Sequence, residues 1–225
     1  MPESIAANLD RVRRTIAASA ARAGRDPGTI TIVAVTKTVP VARVREAIAL
    51  GLNTLGENRV QEALPKIEAI GTRDAAWHLI GHLQTNKVKF IEGHFVMVQS
   101  IDRVDVVEAL DRRLGSPLDV LVEVNVGDEP QKTGAPPSGL ATLAEAVHKA
   151  RSLRLRGLMT IAPMVSDHEQ VRAVFRRLRQ LNDETSQRLG APLPILSMGM
   201  TDDYSIAVEE GATMLRLGRA LFGPR

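Results

Sequence analysis

Lys37 closes the stretch "TITIVAVTK", in which a run of β-branched residues reads as a strand and a helical rhythm sets in from Val41. An amine is costly to bury, and a lysine held at the end of a buried strand has its pKa lowered and is freed as a nucleophile toward carbonyls. A lysine that only snorkels to solvent is the plainer alternative. Toward the other end of the chain, "LSMGM" (196–200) and "RLGRALFG" (216–223) each finish a strand-like run on small residues and open a helical turn. Small residues let backbone N–H groups approach an anion, and the helix dipole favours its charge. Ser197 and Gly199 belong to the first of these stretches, Gly218 and Arg219 to the second. Arg216, two residues before Gly218, points to the same side of its strand as that glycine.

These groups need elements to position them. Eight strand-like runs, at 29–36, 52–58, 75–81, 94–101, 118–126, 153–161, 194–200 and 213–218, are each followed by a helix or a helical turn. Several runs are apolar along their length, as parallel strands covered on both faces are. Eight such units in about 200 residues fit a compact (β/α)8 barrel, with a doubly wound open sheet as the alternative. Before them, Ile5, Leu9, Val12 and Ile16 recur at helical spacing, which predicts an extra amphipathic N-terminal helix. A long helix is predicted to begin near Asp167, with Val171, Val174, Phe175, Leu178 and Leu181 on one face. No linker or low-complexity tract divides the chain, so residues 1–225 read as a single domain. The loop 127–139 is long for a βα connection, and such loops often line the functional face.

Composition removes several function classes. There are no cysteines, which excludes disulfides, thiolate catalysis and cysteine-based zinc sites. The formal charge of +3 is small, and no basic run alternates with aromatics, so nucleic acid is not expected as a partner. No apolar block marks a signal peptide or a membrane span, and the expectation is a cytoplasmic protein. His78 and His82 are four apart, but on a strand that spacing spans roughly 13 Å, too far for one metal. No metal site is expected.

In a (β/α)8 barrel, functional groups sit at the C-terminal ends of the strands, and the loops after strands seven and eight are a frequent phosphate site. An amine after strand one and a phosphate cradle at strands seven and eight call for a ligand with an aldehyde and a phosphate at opposite ends. Pyridoxal 5′-phosphate meets that description, as does a phosphorylated sugar in a Schiff-base aldolase. Arg216 helps to choose, because an arginine is one of the partners used for the pyridine nitrogen and would keep it unprotonated. A strand-end ion pair is the alternative role for that side chain.

"AVTKTVP", "GENRVQEALPKI" (56–67), "WHLIGHLQTNK" (77–87), "RLRGLMTI" (154–161), "LSMGMTDD" (196–203) and "MLRLGRALFG" (214–223) resemble the YggS/PROSC family of pyridoxal phosphate homeostasis proteins, in order and over almost the whole chain. The resemblance implies a single barrel of the alanine racemase N-terminal type, fold type III. It implies Lys37 as the Schiff-base lysine and Arg216 facing the pyridine nitrogen. Ser197, Gly218 and Arg219 would hold the phosphate, largely through backbone N–H groups, and Asn58 would line the ring with Met198 and Gly199 close by. Three positions depart from the family pattern. Val39 stands where a second lysine is common, Thr201 replaces a serine while keeping a capping hydroxyl, and Arg219 replaces a threonine or serine. Lys132 matches a family lysine, although a solvated loop lysine is the simpler reading. Asp202 and Asp203 are expected to cap the helix after strand seven rather than to act as an acid–base pair.

Two classes of function follow from the resemblance. Fold-type III racemases need a second base opposite the lysine and draw a tyrosine for it from a separate β-domain. This sequence stops at Arg225, just after strand eight, and its one tyrosine, Tyr204, follows strand seven. The expectation is therefore a monomeric protein that buffers pyridoxal phosphate and delivers it to apoenzymes without turnover, with no membrane partner. A pyridoxal-phosphate-dependent racemase-like enzyme is the alternative.

Overall fold

The computed structural model describes residues 4–127, 129, 132–163, 165 and 167–224. Residues 128, 130 and 131 of the predicted 127–139 loop, and the terminal Arg225, lie outside the described residues. Helix α1 (Ile5–Arg22) starts where the Ser4 hydroxyl accepts a hydrogen bond from the Ala7 N–H at 3.2 Å. Its buried residues, Ile5, Leu9, Val12, Ile16 and Ala20, form one stripe at i, i+3 and i+4 spacing.

Eight parallel strands follow: β1 (Thr31–Val35), β2 (Thr54–Glu57), β3 (Ala76–Leu79), β4 (Met97–Ile101), β5 (Leu118–Glu123), β6 (Leu153–Met159), β7 (Ile195–Ser197) and β8 (Met214–Leu217). Each pairs with its sequence neighbour, and β8 pairs with β1 over Thr31↔Met214 to Ala34↔Leu217, which closes the ring. Closure excludes the doubly wound sheet. Helices α2 (Val41–Ala49), α3 (Val60–Ile70), α4 (Val104–Arg113), α5 (Leu140–Lys149), α6 (His168–Leu189) and α7 (Tyr204–Glu209) fill six of the seven crossovers, and α8 (Arg219–Phe222) follows β8. A 3₁₀ segment, Thr85–Phe90, fills the one after β3. Among the described residues, no helix is long and apolar enough to cross a membrane.

The two-residue period of the strands stacks the barrel interior in layers. Val33, Met97, Leu121, Met159 and Met214 pack together as a small core of their own, distinct from the main core between strands and helices. Two residues further along come Val35, Gln99, Glu123 and Arg216 on four of these strands, and Ile161 just beyond the end of β6. The barrel is thus apolar at its waist and polar toward its C-terminal end, so the sequence of inward residues itself marks where a site can form. Helix α1 packs against α7 and α8, and the Asn8 amide donates to the Leu221 carbonyl at 3.0 Å. The helices after the last two strands are therefore held from below.

Candidate functional site

At the C-terminal end of the barrel lies a cavity of about 590 Å³, lined by Lys37, Asn58, Arg216, Gly218 and Arg219 together with apolar residues such as Val35 and Ile80. Five of the eight residues singled out in the sequence thus meet around one space. The other three stand behind its wall. Ser197 and Met198 are fully buried, and Gly199 takes a positive φ of 95°, with a Cβ there falling 2.6 Å from the Ala207 Cβ. That glycine brings the end of β7 hard against α7, which no side chain would permit.

Lys37 lies two residues beyond the end of β1 and is half-buried. Thr38 after it has φ 62°, the one non-glycine with positive φ among the described residues, and the Val39 N–H donates to the Thr36 carbonyl at 2.9 Å. The chain turns sharply there and leaves Lys37 at the strand end. Strain of this kind in a β-branched residue persists only where its surroundings impose it. The surroundings are a buried ion pair: Lys66 Nζ on α3 donates to Glu57 Oε1 at 2.7 Å and to the Thr36 carbonyl at 2.6 Å. The Thr36 hydroxyl donates to the same carboxylate oxygen at 2.6 Å. Sequence reasoning missed Glu57 and Lys66. The available signal was the acid of "GEN" at the end of a strand buried on both sides, which requires a cation from a neighbouring element.

Asn58 ends the β2 segment, one residue beyond the strand. Gly81 lies against its backbone so closely that a Cβ would sit 2.3 Å from the Asn58 carbonyl oxygen. Asn58 Oδ1 is buried without a hydrogen-bond partner. A buried acceptor left open on the wall of a cavity is a place for a ligand's donor.

Arg216 is 4% exposed and has no carboxylate within ion-pair distance among the described residues. Its Nη1 donates to Ser197 Oγ and its Nη2 to the Thr160 carbonyl, both at 2.8 Å. Burial pushes its pKa down to about 10, against the pull of Glu123 and Asp203, so the guanidinium stays charged at neutral pH. Both carboxyls are raised above the usual range, chiefly by burial, although the Thr133 hydroxyl (2.6 Å) steadies Glu123 and the Met200 N–H (2.5 Å) steadies Asp203. Asp203 therefore turns back toward Met200 and does not accept from the N–H groups of α7, and that helix starts at Tyr204. Thr201 also departs from the expected cap: its hydroxyl accepts from the Ala220 N–H in α8 at 3.2 Å. Asp202 pairs with Arg219 at 2.5 Å on the open rim. The two loops after β7 and β8 are thus bonded to each other. Lys132 pairs with Glu129 at 2.5 Å and does not line the cavity.

The model of the family described as alanine racemase, N-terminal domain, matches residues 4–225. The chain belongs to that family. The pyridoxal phosphate homeostasis protein of Aquifex aeolicus is 44% identical over 220 residues, covering 96% of each chain. The protein of that name from Pseudomonas aeruginosa is 44% identical over 225 residues, covering 99% of this chain and 96% of the relative. PipY of Synechococcus elongatus PCC7942, solved with PLP bound, superposes with a TM-score of 0.85 at 34% identity, covering 98% of this chain and all of PipY. The barrel of the alanine racemase type expected from the sequence is the fold of this family.

Proposed function

We propose that this chain binds pyridoxal 5′-phosphate in the cavity above the barrel and hands it on, acting in vitamin B6 homeostasis without substrate turnover. The observation that carries the reading is the convergence in one space of an amine, an amide whose buried oxygen has no hydrogen-bond partner and a buried cation with no carboxylate partner among the described residues. These are the complements of an aldehyde, a ring hydroxyl and a ring nitrogen. Lys37 offers the amine to the aldehyde carbon. Asn58 Oδ1 accepts from the ring hydroxyl, and Arg216 donates to the ring nitrogen. Gly218 and Arg219 receive the phosphate at the start of α8, while Ser197, Met198 and Gly199 shape the wall behind. Bound there, the cofactor supplies a carbonyl that captures amines reversibly and a ring that can draw electrons from the carbon next to them. An arginine at the ring nitrogen donates a hydrogen bond and excludes a proton, which weakens that electron sink.

The position of Tyr204 supports delivery over racemisation. It packs against the hydrophobic core at the start of α7 and is not among the residues lining the cavity, so it does not face Lys37 as a second base. The names of the relatives point the same way. The reading includes a cytoplasmic monomer whose recipients are apoenzymes that need the cofactor. The test is to load the protein with pyridoxal phosphate, reduce it with borohydride and map the modified peptide. The pyridoxyl group is expected on Lys37 and absent in Lys37→Ala, with negligible deuterium exchange into alanine by the loaded wild type. A label on another lysine would overturn the assignment of the site, and brisk exchange would overturn delivery without turnover.

A further inference from the structure

We propose that Gln99 and His78 are positioning residues for Arg216, holding its guanidinium at the ring-nitrogen end of the cavity through a one-way chain of hydrogen bonds across the barrel. This rests on the reading of the cavity as a pyridoxal phosphate site. Arginine can only donate. Because Arg216 Nη1 donates to Ser197 Oγ, the serine's own proton is free to go forward, and it goes to Gln99 Oε1 at 2.7 Å. That contact fixes the amide, since an oxygen that accepts there leaves Nε2 as the donor at the other end. Nε2 lies 2.8 Å from His78 Nδ1 and 3.1 Å from the Met214 sulfur. Nδ1 must then be the bare nitrogen of His78 and Nε2 the protonated one. Turning the amide over would move the His78 proton to Nδ1 and take from the Ser197 proton the acceptor it has in Gln99 Oε1.

The chain runs from β8 through β7 and β4 to β3, and all four side chains are buried, Ser197 and Gln99 completely. Water cannot replace a lost partner in such a place, so every link is held by the cost of leaving a polar group unsatisfied. Burial also lowers the His78 pKa to about 4, which keeps Nδ1 an acceptor at neutral pH. With Nη2 committed to Thr160 on the far side, two of the five N–H groups anchor the guanidinium plane to separate strands while the side chain still lines the cavity. Gln99 and His78 touch nothing in that space themselves, and they act through Arg216.

The experiment compares affinity for pyridoxal phosphate with affinity for its carbon analogue, in which C–H replaces the ring nitrogen, in the wild type and in Gln99→Met, His78→Leu and His78→Asn. The wild type is expected to prefer pyridoxal phosphate by about 10- to 150-fold, the worth of one hydrogen bond to a charged group. Gln99→Met and His78→Leu should bring the ratio close to one. His78→Asn should keep it, because its side-chain oxygen can stand where Nδ1 stood. A purely structural role would weaken both ligands together and leave the ratio unchanged, and that result in either disrupting variant would overturn the inference. So would a wild type that binds both ligands equally. A wild type that binds neither would instead overturn the underlying reading. Thermal unfolding checks that each variant is folded, and if Gln99→Met is not, the two His78 variants decide alone.

Discussion

Replacing Lys66 by methionine removes the cation from a carboxylate that has nowhere to go. The side chain of Glu57 is 0% exposed, and its Oε2 is buried without a partner, so Lys66 and the Thr36 hydroxyl, both on Oε1, are its whole support. Lys66 itself is 12% exposed, which removes most of the solvent screening that makes surface pairs weak. Breaking a buried pair from one side costs about 3–5 kcal/mol, because the remaining charge is stranded. In a chain of this length that corresponds to a fall of about 6–20 °C in melting temperature. Replacing both partners, as Glu57→Gln with Lys66→Met, should recover at least half of the loss, since no charge is then left in the interior. Differential scanning calorimetry of the cofactor-free protein measures all three variants. The reasoning fails if Lys66→Met costs under about 1 kcal/mol, as an exposed pair would. It also fails if the double variant is no more stable than the single. Because Lys66 also holds the Thr36 carbonyl, Lys66→Met should loosen the turn that sets Lys37 and weaken the cofactor as well.

Gly218→Val should lower affinity for pyridoxal 5′-phosphate far more than for pyridoxal, by about 1.5–3 kcal/mol for each charge-assisted hydrogen bond lost. Equal losses for both ligands, measured by equilibrium dialysis, would place the phosphate elsewhere. The pH dependence of unfolding should carry the signature of His78. Its folded pKa of about 4 lies below the ordinary 6.5, so as pH falls below about 6.5 the unfolded chain takes up a proton that the folded chain refuses. Stability is therefore lost between about pH 6.5 and 4, by about 3 kcal/mol in all. Glu123 and Asp203, raised by burial, act in the opposite sense, so the quantity to measure is the difference between wild type and His78→Asn in urea unfolding at several pH values. A difference that stays flat from pH 7 to about 4 would refute a buried neutral His78.

What could be read from the sequence followed from properties that each segment carries alone. Strands such as "TIVAV" are apolar along most of their length because both their faces are covered, and that pattern pointed to the number of strands and their parallel order. Lys37 and the glycines after β7 and β8 stood out because their types are costly or unusual where a strand ends. Strand limits were less legible. The run 194–200 holds only three strand residues, Ile195–Ser197, because Gly199 bends the chain toward α7. Partnerships across elements were hidden altogether. Nothing local to Gln99 announces Ser197, and nothing in "PKI" announces that Lys66 meets Glu57, since each contact exists only after the ring has closed. Ser197 shows the same: its hydroxyl bonds Arg216 and Gln99, two partners on other strands that nothing beside it in the sequence announces.

The pairing of β1 with β8 puts Val33 beside Arg216, so the first strand and the last share one seam. The amine of Lys37 and the guanidinium of Arg216 are made at opposite ends of translation and come together only across that seam. A ribosome-bound chain that still lacks β8 carries the nucleophile without its counterpart, and it has no cradle to hold a phosphate against it. Such a nascent chain should bind the cofactor poorly, and capture becomes a late event in biosynthesis. The same geometry lets the ligand act as a latch. Any molecule that touches both Lys37 and Gly218 spans the seam, and its binding free energy opposes the slow opening of non-local strand pairs. Exchange of the amide hydrogens of β1 and β8 should therefore slow on loading more than exchange in β4 and β5, which pair with each other on the far side of the ring.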